Sequence, residues 1–437
     1  MICKSFARDF RSLLGGRVPA QVVIQYTDQC NAACRQCAMR APNRFPRSTL
    51  DKEQTRRLID ALAQRGAAAV SFTGGEPLLH LDDVLDLMRH AGQAGVRHIR
   101  TGTNGFFLRG SDQPGFEARV HSIAQRLADT PVRNFWISLD SADPATHEKN
   151  RGLPGVVRGM EKALPIFEQY GIFPSANLGV NRLTGGPDPI TGRRPDGAFD
   201  PELFREDFRR ALSAFYAFVE SLGFTMVNAC YPMSFDEDEA GRAVYAASSV
   251  EDFIRFRNEE KPWLYQALLE AVPEFRSRLR VFTPRSALLE LVRQYQGEAQ
   301  GFACRGGIDF FFVDAANMDV FPCGYRGQEN LGKLWDLDLA KMKADPWCKQ
   351  CDWECFRDPS VLFGPVLELA GSPFKALRRL LKDREFARLW LEDLRYYRAC
   401  GFFDARRPMD AAALSRFAPG AAPCASPVAG GEAPGPA

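Results

Sequence analysis

The sequence predicts an α/β fold: a partial (β/α)6 barrel of parallel strands, then a small cysteine-bearing domain and C-terminal helices. Six short β-rich runs alternate with segments of helical period, the pattern of strand-then-helix units joined by right-handed crossovers. Several helical segments end in glycine, the residue that most readily takes a left-handed C-cap. Six units, where a closed barrel has eight, leave the sheet open.

In chain order, AQVVIQYT (Ala20–Thr27) is the first strand, AAVSFTG ending at Gly74 the second, RHIRTGTN (Arg97–Asn104) the third and RNFWISLD (Arg133–Asp140) the fourth. FPSANLGV and FTMVNACY are the fifth and sixth. KEQTRRLIDALAQRG, DDVLDLMRHAGQAG and GVVRGMEKALPIFEQYG carry apolar residues three and four apart and are helices between them. The Gly- and Pro-rich insert from Leu183 to Pro201 is a long loop expected to lie over the site. Helical period returns from about Trp263 to Leu291, and IDFFFVDAANMDVFPC reads as two short strands about a polar turn. Helices rich in Leu, Arg and aromatics run from Val361 to about Cys400. The resulting division is an N-terminal helix (1–19), the barrel (20–235), a helical connector (236–300), a cysteine-bearing domain (301–360), C-terminal helices (361–416) and a tail (417–437) too poor in large apolar groups to pack.

Of 437 residues, 45% are hydrophobic and 25% charged, near the globular average. A formal charge of +2, with both signs mixed along the chain, offers no basic face to a phosphate backbone and argues against nucleic acid as a partner. No apolar run reaches the ~18 residues that a bilayer span needs, and MICKSFARDFRSLLGG carries charges where a signal peptide is continuously apolar. No membrane partner and a cytoplasmic location are the expectation. Twelve cysteines in such a compartment point to metal ligands or reactive thiols rather than disulfides. They cluster: Cys30, Cys34 and Cys37 lie together, as do Cys304, Cys323, Cys348, Cys351 and Cys355, while Cys3, Cys230, Cys400 and Cys424 are scattered.

The first group directly follows the first strand, so its loop sits at the carboxyl-end mouth of the barrel, where α/β folds bind ligands. A structural zinc site wants four ligands; three thiolates on an iron-sulfur cube leave one iron open to a ligand. The spacing CNAACRQC resembles the Cys-x3-Cys-x2-Cys signature of radical S-adenosylmethionine (radical SAM) enzymes. FTGGEPLL after the second strand resembles that superfamily's GGEP segment, and TNG (Thr103–Gly105) and SLDSADPATHEKNRG (Ser138–Gly152) resemble its third- and fourth-strand segments. The resemblance implies a partial barrel and a [4Fe-4S] cluster on Cys30, Cys34 and Cys37 whose open iron holds the cofactor's methionine group. It also implies contacts to S-adenosylmethionine (SAM) from Gly74, Gly75, Glu76, Pro77, Asn104, Ser138 and Arg151. An electron from a flavodoxin- or ferredoxin-type donor would break the C–S bond, and the 5′-deoxyadenosyl radical would abstract hydrogen from a substrate. Gln36 stands where the family often has an aromatic that touches adenine.

The second group, with NLGKLWDLDLAKMKADPWC and CKQCDWEC, resembles the SPASM and twitch extensions of some radical SAM proteins. That implies an auxiliary [4Fe-4S] cluster. Five cysteines fit one cluster, with Cys304, Cys323, Cys348 and Cys351 as ligands and Cys355 as a substitute ligand or a spare thiol. Met318 replaces the family's glycine five residues before the second cysteine. Two cysteine pairs would equally suit tetrahedral zinc. A closed cluster can only take up or relay an electron, which favours oxidation of the substrate.

Asn177, Asn181 and Arg182 on and after the fifth strand, and Asn228, Cys230 and Tyr231 on the sixth, are expected at or near the mouth by strand alternation. Cys230 is the candidate to donate or accept a hydrogen atom; the alternative is a small buried hydrophobe. Asp236–Glu239 reads as a solvated loop. The function expected is oxidation of a small polar metabolite; the alternatives are modification of a ribosomal peptide or protein, and a non-enzymatic zinc-binding protein.

Overall fold

A computed structural model describes residues 12–37, 47–232, 243–245, 251–298, 301–338, 346–349 and 351–420. Cys3, Cys424, Asp236–Glu239 and most of the expected N-terminal helix and tail lie outside the described residues. The six expected strands form as β1 (Gln21–Thr27), β2 (Ala69–Gly74), β3 (His98–Thr103), β4 (Val132–Ser138), β5 (Ser175–Gly179) and β6 (Met226–Cys230). Between them run α1 (Lys52–Gln64), α2 (Leu81–Gln93), α3 (Phe116–Ala128), α4 (Pro144–Arg151), α5 (Val156–Gln169) and α6 (Pro201–Ser221). Their starts follow from local chemistry. Asp51 caps α1 by accepting from Gln54 N at 2.8 Å, and Asp143 caps α4 from Thr146 N at 2.8 Å with Pro144 as the first helical residue. Leu58, Ile59 and Leu62 recur on one face of α1, and that face is buried against the sheet.

The sheet runs β7-β6-β5-β4-β3-β2-β1-β8-β9, with parallel pairing everywhere except at β8–β9. Three features differ from expectation. The stretch read as continuous helix is α7 (Lys261–Phe275), a two-residue strand β7 (Arg280–Val281) beside β6, and α8 (Arg285–Tyr295). The hairpin of β8 (Phe310–Val313) and β9 (Val320–Phe321) is part of the barrel sheet, because β8 pairs in parallel with β1 from Gln21↔Phe310 to Ile24↔Val313. The first C-terminal helix, α9 (Glu354–Gly371), begins already at Glu354 and carries Cys355 in its first turn.

That first turn stands in the opening of the partial barrel. Pro359 has no N–H to give the carbonyl four residues earlier, that of Cys355, and this carbonyl instead accepts from Gln21 Nε2 of β1 at 3.4 Å. Phe356 packs on Phe310 with ring centroids 5.5 Å apart, and Tyr231 at the end of β6 donates to Asp358 at 3.2 Å. One wall of the lumen is therefore a helix N-terminus. The last helices, α10 (Pro373–Lys382) and α11 (Arg384–Ala399), continue the chain, and α11 with the turn after it covers the barrel floor. Tyr396 donates to Leu279 O at 2.6 Å, buried Arg276 pairs with buried Asp393 at 2.6 Å, and Ala405 N reaches Arg133 O at 2.7 Å.

Candidate functional site at the barrel mouth

The cysteine loop after β1 is clamped between two other strand ends. On one side Gly75 N donates to Thr27 O at 2.7 Å and Glu76 N to Gln29 O at 2.8 Å. A Cβ on Gly75 would lie 1.9 Å from Gln29 O, so only glycine lets the two backbones meet. The glycines of GGEP thus serve approach to the cysteine loop itself. On the other side Ala33 N and Arg35 N donate to Arg151 O and Asn150 O at the end of α4, each at 3.1 Å.

Within this frame Cys30, Cys34 and Cys37 line one cavity together with Gly74, Gly75, Glu76 and Pro77. Asn104, Ser138, Arg151 and Cys230 line it as well. Glu76 is fully buried and accepts from Leu78 N at 3.0 Å and Asn104 N at 2.6 Å. Burial outweighs those donors and pushes its carboxyl up to about 7. Asn104 Nδ2 bonds Asn31 Oδ1 at 3.0 Å and faces Cys30 Sγ at 3.7 Å, while Ala32 N points at the same sulfur from 3.5 Å. Burial pushes the Cys34 thiol up to about 11 against the opposing charge of Arg151. N–H donors and a guanidinium around sulfur are the surroundings that favour thiolate ligands.

Arg151 does not stand free at the mouth. Asp140 holds it through Nε at 2.6 Å and a terminal nitrogen at 2.9 Å, and also accepts from Gln36 Nε2 at 2.9 Å and Gly179 N at 3.1 Å. Burial opposes both charges, but each partner outweighs it: the Asp140 carboxyl is held below its usual range and Arg151 is held protonated. His147 donates nothing to this group through Nδ1, which accepts from Asp140 N at 3.1 Å; burial lowers its ring to about 4 and keeps it neutral. Asp140 was not singled out from sequence, and Gln36 was noted only as standing where the family often has an aromatic. The only signal for Asp140 was its presence within the quoted fourth-strand motif.

Of the other expected residues, Asn177 and Asn228 line the cavity and bond each other at 3.1 Å. Asn181 is buried beneath, bonding Asp140 O at 2.9 Å. Arg182 is taken by Glu260 at 2.8 Å, and Tyr231 by Asp358. No residue of the 183–201 insert lines the cavity. The insert is instead held beside α6 and the end of β5, with Phe199 packed on Phe204 at 5.5 Å between ring centroids and Ile190 N on Arg182 O at 2.9 Å.

The second cysteine group divides. Cys304 N donates to Cys348 O at 2.9 Å, and burial pushes the Cys323 thiol up to about 12 with Cys304 and Cys348 adding to the effect. Cys351 is raised by burial and then by Cys323 and Cys304. Cys355 is apart from these four: it lines the barrel cavity and donates to Glu354 Oε1 at 3.4 Å. Met318 takes the left-handed conformation, φ 60°, that a glycine would take at less cost. Trp353 separates the two regions, lining the cavity and stacking on Tyr325 at 5.6 Å. Among the described residues no three His, Cys, Asp or Glu side chains are gathered tightly enough to hold a single metal ion, and no helix is long and apolar enough to cross a membrane.

The chain is similar to several known proteins. Residues 24–188 match the Radical SAM superfamily. The AdoMet-dependent heme synthase of Methanosarcina barkeri (strain Fusaro / DSM 804) is 25% identical over 308 residues, covering 70% of this chain and 77% of that protein. The AdoMet-dependent heme synthase of Oleidesulfovibrio alaskensis (strain ATCC BAA-1058 / DSM 17464 / G20) is 22% identical over 341 residues, covering 78% and 77%. Among solved structures, native anSMEcpe with bound AdoMet aligns with a TM-score of 0.47 at 15% identity, over 78% of this chain and 84% of that one. The matched segment begins inside β1 and takes in the cysteine loop, the Glu76 turn and Arg151 on an open parallel barrel; residues 24–188 carry a radical SAM domain, and this chain is an enzyme.

Proposed function

We propose that Cys30, Cys34 and Cys37 hold a [4Fe-4S] cluster with one open iron, and that the enzyme uses it to abstract hydrogen from a small polar metabolite. The observation that carries this reading is one cavity lined both by the three thiols and by a polar lumen that includes Ser175, Asn177, Asn228 and Glu354. Such a cluster, with SAM bound, supplies one-electron C–S cleavage and a 5′-deoxyadenosyl radical. Glu76, carrying an ionised carboxylate, would receive the methionine ammonium; Asn104 and Ser138 border the same space. Asp140 holds Arg151 over Cys34 and Cys37, so the guanidinium acts on the sulfurs and on a carboxylate placed there without being free to swing away. Trp353, Tyr245 and α9 close the side of the lumen, which favours a small substrate over a chain threaded through it.

Cys304, Cys323, Cys348 and Cys351 are the proposed ligands of a second, fully ligated cluster of SPASM or twitch type, and Cys355 is left as a lumen thiol. With four thiolates in place that site has no room for substrate and would take an electron from the oxidised substrate. The test is 5′-deoxyadenosine formation by the anaerobically reconstituted chain with SAM and dithionite. Slow uncoupled formation should fall to background in Cys34→Ala, and a low-molecular-mass metabolite fraction should stimulate the parent. Stimulation by a peptide fraction alone would move the substrate to the ribosomal-peptide class.

A further inference from the structure

The lumen contains one cation that the proposed radical chemistry does not use. Ser71, Arg100 and Asn134 are register partners on β2, β3 and β4, and all three line the cavity at the floor end of the strands. Arg100 cannot lose its charge. Its Nε is buried with no hydrogen-bond partner among the described residues, and none of their carboxylates forms an ion pair with its guanidinium. Trp136 and Phe282 fix the group from two sides, with ring centroids 5.9 and 5.6 Å away. Gly102 makes this possible, since a Cβ there would lie 2.0 Å from the Trp136 ring.

Arg100 is half-buried between the lumen and the groove below, and its buried Nε–H, held between rings and given no acceptor, is costly unless something else supplies one. Below the floor the groove brings Arg89, His98 and Arg133 together with Asp129 and Asp404, and Asp404 is already taken by Arg133 at 2.9 Å. On the lumen side Cys355 lies within the field of Arg100, and the open oxygen of Glu354, Oε2, is also buried without a partner.

We infer that Arg100 is the receptor for a carboxylate of the substrate, which enters the lumen with that group toward the floor. This rests on the lumen being the substrate chamber. A planar carboxylate matches the guanidinium fork, and a single cation in a lumen also lined by the carboxyls of Glu354 and Glu76 suits one negative charge better than the two of a phosphate. Glu354 repels a carboxylate from the α9 wall and accepts an amine or hydroxyl there, so the two residues together set which end of the substrate points down.

The lumen thiols report on this without knowledge of the substrate. The full chain with its clusters assembled is alkylated with iodoacetate, or with its neutral counterpart iodoacetamide, and modification of Cys355 and Cys230 is read by peptide mass spectrometry. The iodoacetate-to-iodoacetamide rate ratio should fall about tenfold in Arg100→Gln, the size expected for a hydrogen bond to a charged group, and recover largely in Arg100→Lys. In the parent alone, acetate and not acetamide should slow the iodoacetamide reaction. An unchanged ratio in both variants, equal effects of acetate and acetamide, or no labelling of either thiol by either reagent would each overturn the assignment. Deoxyadenosine formation in the same preparations reports separately on the radical chemistry: its loss with the ratio intact would remove that reading and leave the anion receptor standing.

Discussion

Glu76 is where burial and charge oppose each other most directly. Its carboxyl titrates near 7 in the folded chain against 4.5 ordinarily, so the folded state binds the proton more tightly than the unfolded one. The stabilisation is fully present below about pH 4.5 and is lost as pH rises through 7. Urea denaturation of the cofactor-free chain should lose roughly 2–3 kcal/mol over that interval in the parent, and Glu76→Gln should flatten the dependence. Asp140 makes the opposite case. Asp140→Asn leaves the largely enclosed Arg151 without its counter-charge and should cost about 3 kcal/mol, read as a lower urea midpoint, with loss of iron after reconstitution. The sequence reading found Cys30, Cys34, Cys37 and the GGEP turn because each is a local spacing. It assigned Arg151 to cofactor and missed Asp140, because a bidentate pair made across a strand end and a helix end leaves no spacing to read.

The six strands and their helices were legible because long apolar runs and three-four periodicity survive in every unit. β7 was not: two residues, Arg280 and Val281, are too few to show alternation, and the apolar residues on either side of them extend the helical pattern. α9 was placed too late because Pro359 reads as a helix break; the carbonyl it frees is taken by Gln21, and the helix continues through it. That makes the first turn of α9 a structural wall. Phe356 is buried, and Phe356→Ala should cost about 3 kcal/mol and speed iodoacetamide labelling of Cys355 in the folded chain. Labelling unchanged at equal folded fraction would show that the wall does not limit access.

At the scale of the whole molecule the two cysteine groups sit on one sheet, the first after β1 and the second about the β8–β9 hairpin that pairs with β1. The sequence pictured the hairpin as the start of a separate domain, since parallel pairing between residues nearly three hundred apart in the chain has no local signature. It also left Cys355 open as ligand or spare thiol; spacing cannot decide that, whereas the turn of α9 points it into the lumen beside Glu354. Of the C-terminal helices, α11 closes the floor under β7, where Tyr396 bonds Val281 N at 2.7 Å and Leu279 O at 2.6 Å. The measurement that bears most directly on the account is iron and sulfide per chain after anaerobic reconstitution, in four preparations: the parent, the triple variant Cys30→Ala, Cys34→Ala, Cys37→Ala, and the single variants Cys351→Ala and Cys355→Ala. About eight iron atoms in the parent and in Cys355→Ala, falling to about four in the other two, is the predicted result on four-iron sites. About four in the parent, or a fall in Cys355→Ala equal to that in Cys351→Ala, would contradict it.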